Sequence, residues 1–274
     1  MRMGILTGAA LAAVVLTSSA ALAQNKLQEV LDRGYLIVGT GSANAPWHFI
    51  NEAGELDGFD VDMGRIIAHG VFNDPTKVQF VDQSADSRIP NLMTNKVDVV
   101  CQFMTVTAQR ALQVTFTIPY YREGTSLLLL VDGRYKTYEE LLAAGSDVTV
   151  SIIQNSFAEE YAHRGLPEAK VDQYESVDLA IQAVRSGRAD GAAVDGSNTM
   201  WLKRQFPDVY SDAGKYWLPQ NYACAVAKGD QDWLNLVNTS LHEAMTGAEF
   251  PRYAEAYERW YGVELPEPHI GFPY

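Results

Sequence analysis

A zinc-hydrolase helix needs two His four residues apart with a Glu beside the first. His242-Glu243 begins that pattern, but Thr246 stands where the second His must be. The five His, at 48, 69, 163, 242 and 269, are scattered. Gly39-Thr40-Gly41 follows a strand-like run, yet Asn44 occupies the place of the third Gly of a dinucleotide loop. There is no Gly-Lys-Ser/Thr phosphate loop and no Gly-x-Ser-x-Gly nucleophile elbow. These residues imply no metal, no nucleotide cofactor and no covalent catalyst.

Binding chemistry is better served. Val97 to Phe103 reads as a strand, and Thr105 to Thr107 lies just beyond its end, opening a helix that contains Arg110. Strand-end loops that feed helix starts are where α/β sheets bind ligands. Backbone N–H groups and hydroxyls there suit an anion, and a guanidinium adds a two-pronged carboxylate contact. A solvated helix Arg, with Thr107 as a plain N-cap, is the other reading. The two cysteines are Cys101 and Cys224. A bridge and a pair of buried free thiols both remain open on composition alone.

Strand and helix signals alternate along the chain. Leu27 to Arg33 reads as a helix ended by Gly34, and Tyr35 to Val38 as a strand. Residues 59 to 69 have helical apolar spacing; Lys77 to Val81 is a strand and Ser87 to Asn95 a helix. A second cycle begins after Pro119, with strands at Ser126 to Val131, Val148 to Ile153, Lys170 to Tyr174 and Ala189 to Val194. Helices at Tyr138 to Ala144, Ala158 to His163 and Val177 to Ser186 separate them. A further strand, Tyr222 to Ala227, precedes helices rich in Trp and Tyr, and the tail from Pro266 to Tyr274 reads as irregular. Two α/β cycles predict two layered lobes with mainly parallel sheets.

The first residues describe an export signal: a basic start at Arg2, an apolar run from Ile5 to Ala23, and the small-x-small end Ala21-Leu22-Ala23. Cleavage is predicted after Ala23, a retained membrane anchor being the other reading of a run that approaches spanning length, and no later run is long and apolar enough to span a bilayer. Without Arg2, 20 basic residues face 34 acidic ones, a net charge of −14. So acidic a chain is not expected to bind nucleic acid or anionic lipid.

Several segments in order resemble the extracellular solute-binding proteins of family 3, the polar amino-acid-binding proteins of ABC transporters. They are Gly34-Tyr35-Leu36-Ile37-Val38-Gly39-Thr40, Ala45-Pro46-Trp47-His48-Phe49 and Gly54-Glu55-Leu56-Asp57-Gly58-Phe59-Asp60. Arg88-Ile89-Pro90-Asn91-Leu92, Lys96-Val97-Asp98-Val99-Val100 and Thr105-Val106-Thr107-Ala108-Gln109-Arg110 follow. Phe116-Thr117-Ile118-Pro119-Tyr120 and Ser186-Gly187-Arg188-Ala189-Asp190-Gly191 complete the series. The resemblance implies an α/β, type II periplasmic-binding-protein fold: two lobes, two mainly parallel sheets, and two crossing strands. Residues 1–23 would be the signal, 24–122 with 222–274 the first lobe, and 123–221 the second.

The resemblance also implies roles. Arg110 would hold a ligand α-carboxylate with Thr105, and Asp195 its ammonium; an acid capping the turn before Gly196 is the alternative for Asp195. Ser156 would donate to the carboxylate in a loop where the family often has Gly-Thr and this chain has Asn155-Ser156. Asn44 and Ala85 stand where binders of long cationic side chains often place stacking aromatics, which argues against a Lys- or Arg-like ligand. Phe103 and Trp47 would shape the pocket, with core packing the other explanation for Trp47. Cys101 and Cys224 would lie on neighbouring strands and pair as a disulfide. The implied partner is a membrane permease, the implied place the periplasm, and the implied activity non-enzymatic. A dehydratase of small carboxylic acids on the same fold is the rival reading.

Overall fold

The computed structural model describes residues 25–155 and 157–271. The expected signal and Ser156 lie outside the described residues. Among the described residues, no helix is long and apolar enough to cross a membrane.

Helix α1 (Lys26–Arg33) starts at Asn25, whose side chain accepts the Gln28 N–H, and stops at the left-handed Gly34. Strand β1 (Leu36–Thr40) follows, then a small antiparallel sheet of β2 (Ala43–Asn44), β3 (His48–Ile50) and β4 (Leu56–Asp57). Helix α2 (Phe59–Phe72) begins at Gly58, where φ is +133°. A Cβ there would sit 2.3 Å from the Trp47 carbonyl oxygen, so only glycine fits. Next come β5 (Val78–Asp82), α3 (Arg88–Met93), β6 (Val99–Val100) and the one-turn helix α4 (Ala108–Ala111).

Strand β7 (Thr115–Leu130) runs 16 residues into the second lobe. There α5 (Tyr138–Ala144), β8 (Thr149–Ile153), α6 (Ala158–Gly165), β9 (Lys170–Tyr174), α7 (Val177–Arg185), β10 (Gly191–Asp195) and α8 (Gly196–Gln205) follow in turn. Strand β11 (Tyr210–Val226) returns over 17 residues. Helices α9 (Gln231–Thr246) and α10 (Phe250–Tyr261) close the chain onto the first lobe.

The two expected sheets are joined into one eight-stranded ladder, ordered β5-β1-β6-β11-β7-β10-β8-β9. Strands β5, β1 and β6 are parallel at one end, and β10, β8 and β9 at the other. The crossing strands β7 and β11 pair antiparallel from Val226↔Thr115 to Tyr210↔Leu130, with four register shifts. The sequence reading began a second cycle after Pro119 and its first strand only at Ser126. Pro119 instead faces Ala223 between two of those shifts, where a missing N–H costs no regular ladder bond. Strand β6 is shorter than the predicted Val97 to Phe103, and α8 was not predicted.

The cores divide along the same line. Val38, Trp47, Phe59, Val99, Tyr222, Cys224, Trp233 and Trp260 form the largest cluster, in the first lobe. In the second lobe, Leu127 and Leu129 pack on one sheet face with Leu141, Val150 and Ile152. Leu128 packs on the other with Val177, Ile181 and Val194. The four-Leu run is therefore a strand buried on both faces, which explains its lack of polar alternation.

Cys101 and Cys224 form a disulfide with their Cα atoms 4.4 Å apart. They lie beside the antiparallel pair Val100↔Ala225, on strands β6 and β11 and their continuation. The bridge ties the returning strand to the first lobe, next to the loop that leads to Thr105.

Candidate functional site

Strands β6 and β10 end at the boundary between the lobes, and the loops beyond them face one another across a small cavity of about 60 Å3. From the first lobe it is lined by Arg88, Phe103, Thr105 and Arg110. From the second it is lined by Asn155, Phe157, Tyr161, Val177 and Asp195. The crossing strands supply Thr125, Gln220 and Tyr222.

On the first-lobe side, Thr107 caps α4 by accepting the Arg110 N–H, 3.2 Å. The Arg110 guanidinium donates to the Thr105 carbonyl oxygen, 3.0 Å, and lies 4.9 Å from the centre of the Phe157 ring of the opposite lobe. Burial lowers its pKa from the usual arginine value. Thr107 is thus the plain N-cap of the simpler reading, and Arg110 still reaches the cavity. The Thr105 hydroxyl is committed elsewhere: it donates to Gln220 Oε1, 2.8 Å, while Gln220 donates to Thr125. These three residues tie the cavity floor across both crossing strands.

Phe103 has φ of +35°, a left-handed backbone that costs energy for a bulky residue. Its N–H donates to Asp60 Oδ2, 2.9 Å, and that buried carboxylate is also held by His48 and by the Tyr120 hydroxyl. The anchor turns the Phe103 ring toward the cavity, and Arg88 lies 5.0 Å over it. Arg88 is 3% exposed and donates to the carbonyl oxygens of Ala85 and Gln102. Among the described residues, neither Arg88 nor Arg110 has a carboxylate within ion-pair distance.

On the second-lobe side, Asp195 ends β10 and precedes α8 without capping it through its side chain. Its Oδ1 accepts the Tyr222 hydroxyl, 2.7 Å, and its buried Oδ2 has no partner. Burial, and then the nearby Glu123 charge, hold this carboxyl well above the usual carboxylate range; the Tyr222 bond acts the other way. Glu123 sits behind it on β7. Its Oε1 accepts the Gly124 N–H, and its buried Oε2 is also unpartnered. Burial pushes Glu123 up to about 7, against hydrogen bonds from Ser197, Gly124 and Gly196.

Four of the residues singled out in sequence thus line one cavity: Arg110, Thr105, Asp195 and Phe103. Trp47 and Asn44 do not. Trp47 is fully buried among the rings of Phe59, Tyr120, Tyr121, Tyr222 and Tyr261, and its indole N–H donates to Ser197 across the lobes. Asn44 accepts from Asn198, also across the lobes, and lines a neighbouring groove with Ala85, Gln83 and Gln102. Sequence reasoning missed Arg88, Glu123, Gln220 and Tyr222. Arg88 stood in a quoted motif and Tyr222 at a strand start, but nothing local marked either as facing a cavity.

Comparisons with known proteins place the fold and the family. The glutamine-binding protein GlnH of an ABC transporter from Bacillus subtilis (strain 168) is 29% identical over 208 residues, 76% of this chain and 74% of its own. The L-cystine-binding protein TcyJ of Escherichia coli (strain K12) is 25% identical over 265 residues, 96% of this chain and 95% of its own. Among solved structures, an ancestral amino-acid-binding protein described as a precursor of cyclohexadienyl dehydratase matches with a TM-score of 0.75 and 32% identity. That match covers 86% of this chain and 99% of the other. A family model spans residues 36–263, from β1 past α10 and so across both lobes and the cavity between them. The chain belongs to the bacterial extracellular solute-binding proteins, family 3.

Proposed function

We propose that this protein captures a small amino acid between its lobes and delivers it to the membrane permease of an ABC transporter. One observation carries the reading: a buried guanidinium and a buried carboxylate, from opposite lobes, line the same cavity without pairing with each other. Arg110 offers donors to an α-carboxylate, and the unpartnered Asp195 Oδ2 accepts from an α-ammonium. A zwitterion bridging them favours the closed arrangement, because it satisfies groups that are costly to bury alone. The lobes divide at residues 122 and 222, with hinges in β7 and β11. Relatives that bind glutamine and cystine support an amino-acid ligand. Export to the periplasm, with cleavage after Ala23, follows from the leader and from the extracellular character of the family.

The second reading is a dehydratase of small carboxylic acids. It is favoured by the likeness to a dehydratase precursor, and by Glu123, an acid held near neutrality beside the cavity. Mass spectrometry of the small molecules released from the purified, denatured protein separates the two. Binding predicts a stoichiometric amino acid, unchanged after prolonged incubation. Conversion of an added acid to an unsaturated product would overturn it.

A further inference from the structure

Arg88 is the charged group in the cavity that the zwitterion does not use. It stands on α3, whereas Arg110 stands on α4. The two guanidiniums are fixed separately. Arg110 is held at the Thr105 carbonyl and the Phe157 ring, Arg88 at the Ala85 and Gln102 carbonyls and the Phe103 ring. The amides beside Arg88 are already spoken for: Gln83 donates to Gln102, Gln102 to the Gln83 carbonyl, and Asn91 to Gln83. Gln83 and Gln102 line the neighbouring groove, so the guanidinium is the charged donor that this wall presents to the cavity.

Resting on the amino-acid reading above, we propose that Arg88 is a second anion-binding position, so that the preferred ligand is a dicarboxylic amino acid. Its α-carboxylate meets Arg110, its ammonium Asp195, and its side-chain carboxylate Arg88. The charges agree with this assignment. A buried cation without a counter-ion is costly, and a ligand carboxylate supplies one. Burial and then the Arg110 charge already push Arg88 down to about 9, and an anion between the two would reverse that. With Glu123 protonated and Asp195 held ionised by the ligand ammonium beside it, two guanidiniums and one carboxylate face a ligand of two carboxylates and one ammonium, and the sum is zero.

The test is calorimetry on ligand-stripped protein with L-glutamate, L-aspartate, L-glutamine and L-asparagine. The wild type is expected to prefer an acid over its own amide by about 30-fold or more, the range for a buried charge contact. Arg88→Gln is expected to erase or reverse that ratio, and Arg88→Lys, which keeps the charge, to retain part of it. An amide bound as tightly as its acid by the wild type would overturn the proposal, even if Arg88→Gln fails to fold. So would a ratio unchanged in a folded Arg88→Gln. If some other amino acid binds and neither acid does, this inference falls while the amino-acid reading stands; if no amino acid binds, both fall.

Discussion

The Asp195 and Glu123 carboxyls share one problem: each is buried, each keeps one oxygen without a donor, and each raises the other's cost of ionisation. A raised folded pKa means that the group's contribution is present below its unfolded pKa and is lost as pH rises through the folded one. For Glu123 that window runs from 4.5 to about 7. Ligand-free protein is therefore expected to lose stability across it, on the order of 3 kcal/mol at one pKa unit per ~1.4 kcal/mol. Glu123→Gln keeps the acceptor and removes the titration, so it should melt increasingly above the wild type as pH rises from 4.5 past 7. Parallel melting curves for the two proteins across that range would contradict the account. Legibility at this scale was uneven. Arg110 was found because it lies in a quoted motif just beyond a recognisable strand, and Asp195 because the resemblance assigns a role to the acid that ends the Ala189 to Val194 strand. Glu123 was not, because an acid two residues past Tyr121 looks like a solvated loop charge until two long strands cross over it.

Strands β7 and β11 position the site and are the elements that sequence resolved least well. Their apolar runs were legible at the far ends, Ser126 to Leu130 and Tyr222 to Val226. The middles carry Arg122, Glu123, Gly124, Gly214 and Pro219, which give no strand signal of their own, and only the resemblance implied crossing strands there. Pairing between the two strands overrides that local preference. The short strands β2, β3 and β4 and helix α8 were missed for a similar reason. Ser197, Asn198 and Thr199 begin α8 fully buried, yet their polarity suggests surface. They are buried because they bond to Trp47, Asn44 and Ser126. The disulfide acts at the same scale. It closes 122 intervening residues, the whole second lobe included. Chain entropy assigns about 4–5 kcal/mol to a loop of that size. Reduction is expected to lower the melting temperature markedly, and denatured, unreduced protein should titrate no free thiol. Two thiols per unreduced chain would contradict the bridge.

At the scale of the molecule, the lobes meet, besides the two strands, mainly through polar bonds and ring contacts, among them Asn198 on the Ala45 carbonyl and Phe49 against Trp201. Trp47 donates to Ser197, Asn198 to Asn44, and Arg204 to the Trp260 carbonyl, while Arg110 stacks on Phe157. Such a boundary favours hinge motion, for which periplasmic binding proteins are themselves a standard illustration. The same contacts leave the cavity's unpaired charges as the chief obstacle to closure without ligand. Capture of a zwitterion across the lobes is the central claim. Its most direct measurement is a calorimetric titration of ligand-stripped protein with the standard L-amino acids, with two analogues of the tightest binder, and with Arg110→Ala. One analogue lacks the α-amine and the other carries its α-carboxylate as an amide. The account predicts saturable binding of at least one amino acid at one ligand per chain. Either analogue, or Arg110→Ala, should weaken binding by about 30-fold to several thousand-fold, the equivalent of ~2–5 kcal/mol. Affinity unchanged by Arg110→Ala or by loss of the amine, or no binding of any amino acid, would contradict it.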